Sequence, residues 1–253
     1  MPGPDRDIFG RTPRAHANWD HRRGEPRTFA LVWTIFLMLA TLVMFSTLGA
    51  AHTVTIDIYR PAVRALLVTI TAGMVLLWPM MRLSQEAPIR GIGASIAKDL
   101  AVVLIPTQAL VWPQALRMLG GWPIGQTAAL ASCQAAWAVL VGGLLALALA
   151  TDARPRELMR GLWMLAIVAI VILVPLVEIL FGALRPLTIR GPEPAMMASP
   201  LLAVVELLRD RGVASPVATF ASDWRAIGIT SLAGAGLWML AFMVEVARRP
   251  GRA

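Results

Sequence analysis

The stretch FALVWTIFLMLATLVMFSTLGA, Phe29 to Ala50, decides the fold: it holds 22 successive residues without one charged side chain. At 1.5 Å per residue a helix of that length spans about 33 Å, enough for a hydrocarbon core of about 30 Å. It exceeds the roughly 7–15 apolar residues of a signal-peptide core, and further runs of the same kind follow, so it reads as an anchor. Arg22-Arg23 ahead of it resembles a twin-arginine export signal, but Gly24-Glu25-Pro26 does not supply the hydrophobic residues such signals carry.

Working outward, five more runs are expected to cross, near 62–81, 98–118, 126–150, 161–183 and 226–247, each bounded by Arg, Pro or Gly. The chain is 57% hydrophobic and only 15% charged, against about a quarter charged in water-soluble domains. The expected fold is therefore all-α: a polytopic membrane bundle of about six helices over 28–248, with a basic disordered tail at 1–27 and a short tail at 249–253. The third run is the least regular. Pro106 and Pro113 interrupt it and Gln108, Gln114 and Arg117 add polarity, which leaves a kinked or partly re-entrant course open.

The net charge of +8 does not point to nucleic acid, because 22 of the 23 basic residues are Arg, set mainly in loops between apolar runs. With the N-terminus inside and six crossings, 15 of the 23 fall in cytoplasmic segments and only Arg60, Arg64 and Arg117 in the two short outer loops. Both termini are thus expected in the cytoplasm of a bacterial-type inner-membrane protein. Trp33, Trp78, Trp112, Trp122, Trp163 and Trp224 fall near expected helix ends, where indoles favour the interface; Trp137 and Trp238 lie deeper and read as packing residues. Cys133, the single cysteine, reads as a small core residue.

Between the fifth and sixth runs a short outer interfacial helix is expected. Ser199 stands as its cap, Pro200 as its first residue, and Leu201 to Leu208 as its apolar body, with Glu206 and Arg209 late in the segment. Such a helix lies at the outer interface or dips against the bundle.

Chemistry-bearing motifs are scarce. The only lysine, Lys98, lacks the glycine-rich loop that cradles nucleotide phosphates, and Gly91 to Ile96 lacks the third glycine of a dinucleotide fingerprint. His16, His21 and His52 are not placed to hold haem, no His-Glu-x-x-His pair exists for zinc, and no Gly-x-Ser-x-Gly elbow is present. The expectation is a protein without catalytic residues, metal or cofactor. Three acidic residues remain: Asp99 and Glu245, read as interfacial and paired with Lys98, Arg248 or another nearby Arg, and Glu178, about two turns from the outer end of the fifth run, a candidate intramembrane polar site. Pro175 should bend that run and free a backbone carbonyl. Ser231, Ala233, Gly234, Ala235 and Gly236, with Gly142 and Gly143, allow close helix contact without saying with what.

Two stretches, 82–105 and 195–249, resemble the membrane subunits of ABC-2 type transporters. Glu86, Pro88-Ile89-Arg90 and Lys98 are similar to that family's connection between the second and third helices. Ser199-Pro200, Leu201 to Leu208, Trp224 and Arg248-Arg249 are similar to its outer helix and last span. The family's Gly-Thr-Leu run ahead of the proline is missing, and Ala97 stands where a glycine is expected. The resemblance implies a permease-like subunit whose coupling loop, Glu86, Pro88, Arg90 and Lys98, meets a separate ATPase subunit, with a homodimer or paired permease in the bilayer. The alternative from the residues alone is a non-catalytic membrane scaffold or assembly factor.

Overall fold

In the computed structural model, residues 26–49, 55–85, 91–151, 156–177, 179–180, 196–209 and 219–248 are described, and no strand occurs among them. The helices are α1 (Pro26–Gly49), α2 (Ile56–Ala72), α3 (Trp78–Ser84), α4 (Ile92–Val111), α5 (Ile124–Ala150), α6 (Arg156–Val177), α7 (Pro200–Leu207) and α8 (Ala221–Ala247). Six stretches are long and apolar enough to cross a membrane: Thr28–Ser46, Ile56–Ser84, Ile92–Ala115, Ile124–Ala150, Leu158–Val177 and Ala221–Ala247. The chain is a multi-pass, all-α membrane bundle. Of the expected tail at 1–27, residues 1–25 lie outside the described residues, as does the tail at 249–253, and Pro26 and Arg27 belong to α1 instead.

An even number of crossings returns the chain to its starting face. The start of α1 and the close of α8 therefore share one end of the bundle, called here the terminal end, and α7 sits at the far end. α5 is the axis: 72% of its most apolar window is buried, against 11% for α6. The outer helices turn Leu39, Leu42, Leu165, Leu173, Leu232 and Phe242 outward, where hydrocarbon rather than water is the matching solvent.

The tightest seam joins α5 to α8. A Cβ added at Gly234 would lie 2.8 Å from the Leu140 nitrogen, and one at Gly143 would lie 2.8 Å from Leu237 Cβ, so only glycine lets these backbones meet. Trp238 closes the seam by donating its indole N–H to the Val139 carbonyl at 2.9 Å. Of the small residues noted in the sequence, Gly142, Gly143 and Gly234 thus serve contact within the chain, whereas Ala233, Ala235 and Gly236 are exposed.

The second crossing is a continuous rod with one irregular turn. Between α2 and α3, residues Gly73–Leu77 form a π turn in which the Trp78 amide reaches back five residues to the Gly73 carbonyl. Two causes coincide there. Pro79 has no N–H for the Val75 carbonyl, and Phe36 of α1 lies where a Cβ on Gly73 would come within 2.3 Å of its ring. The third stretch is helical without a break: α4 carries Pro106 inside, then tightens into a 3₁₀ turn at Trp112–Ala115, and together they are long enough to cross.

Several boundaries move outward from the expected ones. The second crossing starts at Ile56 rather than 62, because Arg60 and Arg64 find carbonyl partners inside the protein and do not need a loop. The third starts at Ile92 rather than 98, with Gly91 left-handed at φ 69° ahead of it. The sixth starts at Ala221, where Asp223 accepts the Phe220 amide at 3.1 Å. Trp33, Trp78 and Trp122 are buried within the protein instead of lying at the interface, whereas Trp112 and Trp224 are exposed.

Candidate functional site

Polar side chains converge along one face of the second crossing. Arg60, Arg64, Leu67, Thr71, Met74, Trp78 and Arg82 recur at steps of three, four or seven, which places them on a single helical stripe. That stripe faces inward: Leu67, Thr71, Met74, Trp78 and Arg82 are all buried.

At the terminal end the stripe closes on a buried ion pair. Arg82 Nε lies 3.2 Å from Asp99 Oδ2, with both side chains almost wholly removed from solvent. The rest of the guanidinium is used as well: Nη1 donates to Gln85 Oε1 at 3.0 Å and Nη2 to Ser95 Oγ. A buried pair withstands its desolvation cost only with supplementary hydrogen bonds of this kind. Arg160 of α6 donates to the Leu83 and Gln85 carbonyls at 3.3 and 2.9 Å, and Glu245 of α8 accepts the Gly91 amide at 3.2 Å. Residues 85 and 91, the two flanks of the connection 86–90, are therefore held by the fifth and sixth crossings.

Near the bundle's midpoint Gln134 of α5, fully buried, donates from Nε2 to Thr71 Oγ1 at 3.0 Å, and Thr71 donates onward to the Leu67 carbonyl. Gln108 of α4 donates to the Ala131 carbonyl at 3.1 Å. These bonds tie α2, α4 and α5 together where lipid offers no competing donor.

At the far end the stripe grips α7. The last carbonyls of a helix lack intrahelical partners. Here Leu207 accepts from Gln126 Nε2 of α5, and Leu208 from Arg64 Nη2 of α2. At the other end of α7, Ser199 Oγ donates to the Val171 carbonyl of α6 at 3.2 Å. Val171 is four residues before Pro175, so this is the carbonyl that the proline leaves without a donor. Ser199 stands at the N-cap position, but its hydroxyl serves α6 instead of capping α7. Pro200, Ala203, Val204, Glu206 and Leu207 are buried, so α7 packs inside the far end of the bundle and does not float at the interface. The Glu206 carboxylate turns inward, with Arg209 Nη1 3.7 Å away.

No protein-family model, curated protein or solved structure matches this chain. Its chemistry must be read from its own side chains.

Of the residues singled out in the sequence, Lys98 is exposed on α4, and Ser199, Pro200 and Glu206 are gathered at the far end. Glu86, Pro88, Arg90 and Glu178 lie outside the described residues. Asp99 and Glu245 sit at the terminal end as expected, and the partner of Asp99 is Arg82. The sequence carries the stripe as the seven-residue steps Arg64, Thr71, Trp78, Gln85, but the charge of Arg64 reads as loop and divides it. Among the described residues, no group of three His, Cys, Asp or Glu side chains could hold a metal ion. The arrangement is two hydrogen-bonded clamps at opposite ends of one rod.

Proposed function

We propose that the chain is a permease-like membrane subunit of an ABC-2 type export system, working with a separate ATPase subunit. The observation that carries this reading is α7, a short helix between the fifth and sixth crossings that is built into the far end of the bundle. Its position agrees with the outer helix that the resemblance implies. The terminal end supports the same reading. Residues Gln85 and Gly91, which flank the expected coupling loop, are bonded to α6 and α8, and Arg82, Ser95 and Asp99 lock α3 to α4. A push on this loop moves α3 and α4 as a unit and is felt by α6 and α8. The second crossing carries it to Arg64 and α7. Coupling of this kind needs an ATPase that binds two arrangements of the loop with different affinity. The reading puts both termini in the cytoplasm, and the fall of 15 of the 23 basic residues on that side supports it.

The test is purification of the full chain in mild detergent from its native host. The reading expects an ATPase subunit encoded nearby to co-purify, and Glu86→Ala with Arg90→Ala to weaken that complex while the bundle keeps its melting temperature. Recovery without any ATPase, together with unchanged abundance of the chain after deletion of neighbouring ATPases, would overturn it in favour of a scaffold.

A further inference from the structure

At the terminal end α4 and α8 diverge and leave a groove floored by α5. Its volume is about 300 Å³, and its walls are Gly93 and Ala97 of α4, Ala146 of α5, and Trp238, Ala241 and Phe242 of α8. That volume is at the lower limit of ligand cavities, about 300–1,000 Å³. The groove spans eight residues of α8, from Trp238 to Glu245, and so runs about 10 Å along the helix axis from the terminal end. Its depth and apolar walls suit hydrocarbon.

Charge along the edge of the groove bears on the rest of the occupant. Glu245 lines the groove and is already bonded to the Gly91 amide. Lys98 lies one turn beyond the wall residue Ala94, on the same face of α4, and Arg248 follows Ala241 and Glu245 at steps of four and three on α8. Both cations are exposed, and neither is paired with another described residue. Side chains lean toward the start of their helix, so the Lys98 stem runs back toward Ala94 and the interface, where its ammonium can snorkel. Among the described residues two cations and one carboxylate stand along this groove, a positive balance that suits the phosphate of an anionic lipid. We infer that this groove is a binding site for an anionic phospholipid of the phosphatidylglycerol type, with one acyl chain between α4 and α8 and the phosphate at Lys98 and Arg248. The inference stands on the groove and its rim and does not depend on the chain being a permease.

The experiment is native mass spectrometry of the delipidated full chain, titrated in detergent with phosphatidylglycerol or phosphatidylcholine. Each interfacial cation contributes about fivefold in affinity for an anionic headgroup. Wild type is expected to prefer phosphatidylglycerol by at least that factor, and Lys98→Gln with Arg248→Gln to bring the ratio near one. If the double variant does not fold, Arg248→Gln alone, at the helix end, is expected to lose about fivefold. Ala97→Leu, which fills the groove and keeps both cations, should reduce retention of both lipids. Glycerol phosphate should not displace the bound lipid. The inference fails if wild type shows no preference, if the preference survives loss of the cations, if Ala97→Leu binds like wild type, or if glycerol phosphate competes at the lipid's own concentration.

Discussion

Replacing Gly234 by Ala is the sharpest test of the packing. The added Cβ would sit 2.8 Å from the Leu140 nitrogen, 3.0 Å from its Cα and 3.0 Å from Val139 Cγ1. Favourable carbon contacts lie at about 3.5–4.0 Å, so α8 must retreat by about half an ångström or more. Two of the three obstacles are backbone or branch-point atoms of a buried helix, and they cannot rotate away. A gap of about 0.5–1 Å forfeits a quarter to a half of each dispersion contact along the seam, and overpacking of this kind costs about 1–3 kcal/mol. For a chain of this size each kcal/mol lowers the melting temperature by about 2–4 °C, so a fall of roughly 3–10 °C is expected in detergent. Gly236→Ala is the matched control, because nothing lies within 4 Å of its added Cβ and any gain in helix propensity applies equally. Tryptophan fluorescence reads the seam, since the Trp238 indole is bonded to Val139 across it. Equal melting temperatures for the two variants would refute the α5–α8 seam.

Three further perturbations follow from the hydrogen-bonded clamps. Asp99→Asn leaves Arg82 buried beside a neutral amide and should cost about 3–5 kcal/mol by thermal unfolding, while the double change Arg82→Met, Asp99→Leu should recover most of it. Ser199→Ala removes the donor to the Val171 carbonyl and should cost about 1–3 kcal/mol; with Pro175→Ala, which restores an amide at 175, the same change should cost measurably less in a double-mutant cycle. Arg64→Ala with Gln126→Ala releases the carbonyls at the end of α7, and a cysteine placed at the fully buried Val204 should then react with a maleimide that does not label it in the parent.

The six-helix architecture is legible in the sequence because lipid imposes length and composition together: a run such as Phe29 to Ala50 has few other stable solutions. The short helix is also legible, from Pro200 and the apolar body that follows it. Ser199 marks the place correctly, yet its hydroxyl goes to Val171, a partner 28 residues away that depends on how α6 packs. Arg60 and Arg64 look like loop residues because hydropathy sees charge and cannot see the Gly120 and Leu208 carbonyls that receive it. Trp33 and Trp78 look interfacial by position along the run; they are buried because neighbouring helices of this chain, instead of lipid, cover that face. Cost alone calls for a cation beside Asp99, with Lys98, Arg248 or another nearby Arg as candidates, but its choice of Arg82 rests on the close approach of α3 and α4.

The whole account requires six full crossings of a lipid bilayer. The direct measurement is membrane-impermeant maleimide labelling of single cysteines placed at residues 5 and 251, in a chain whose buried Cys133 has been replaced by alanine. The account predicts that both positions are labelled from the same, cytoplasmic face and neither from the other. Labelling of the two ends from opposite faces would mean an odd number of crossings and would contradict it.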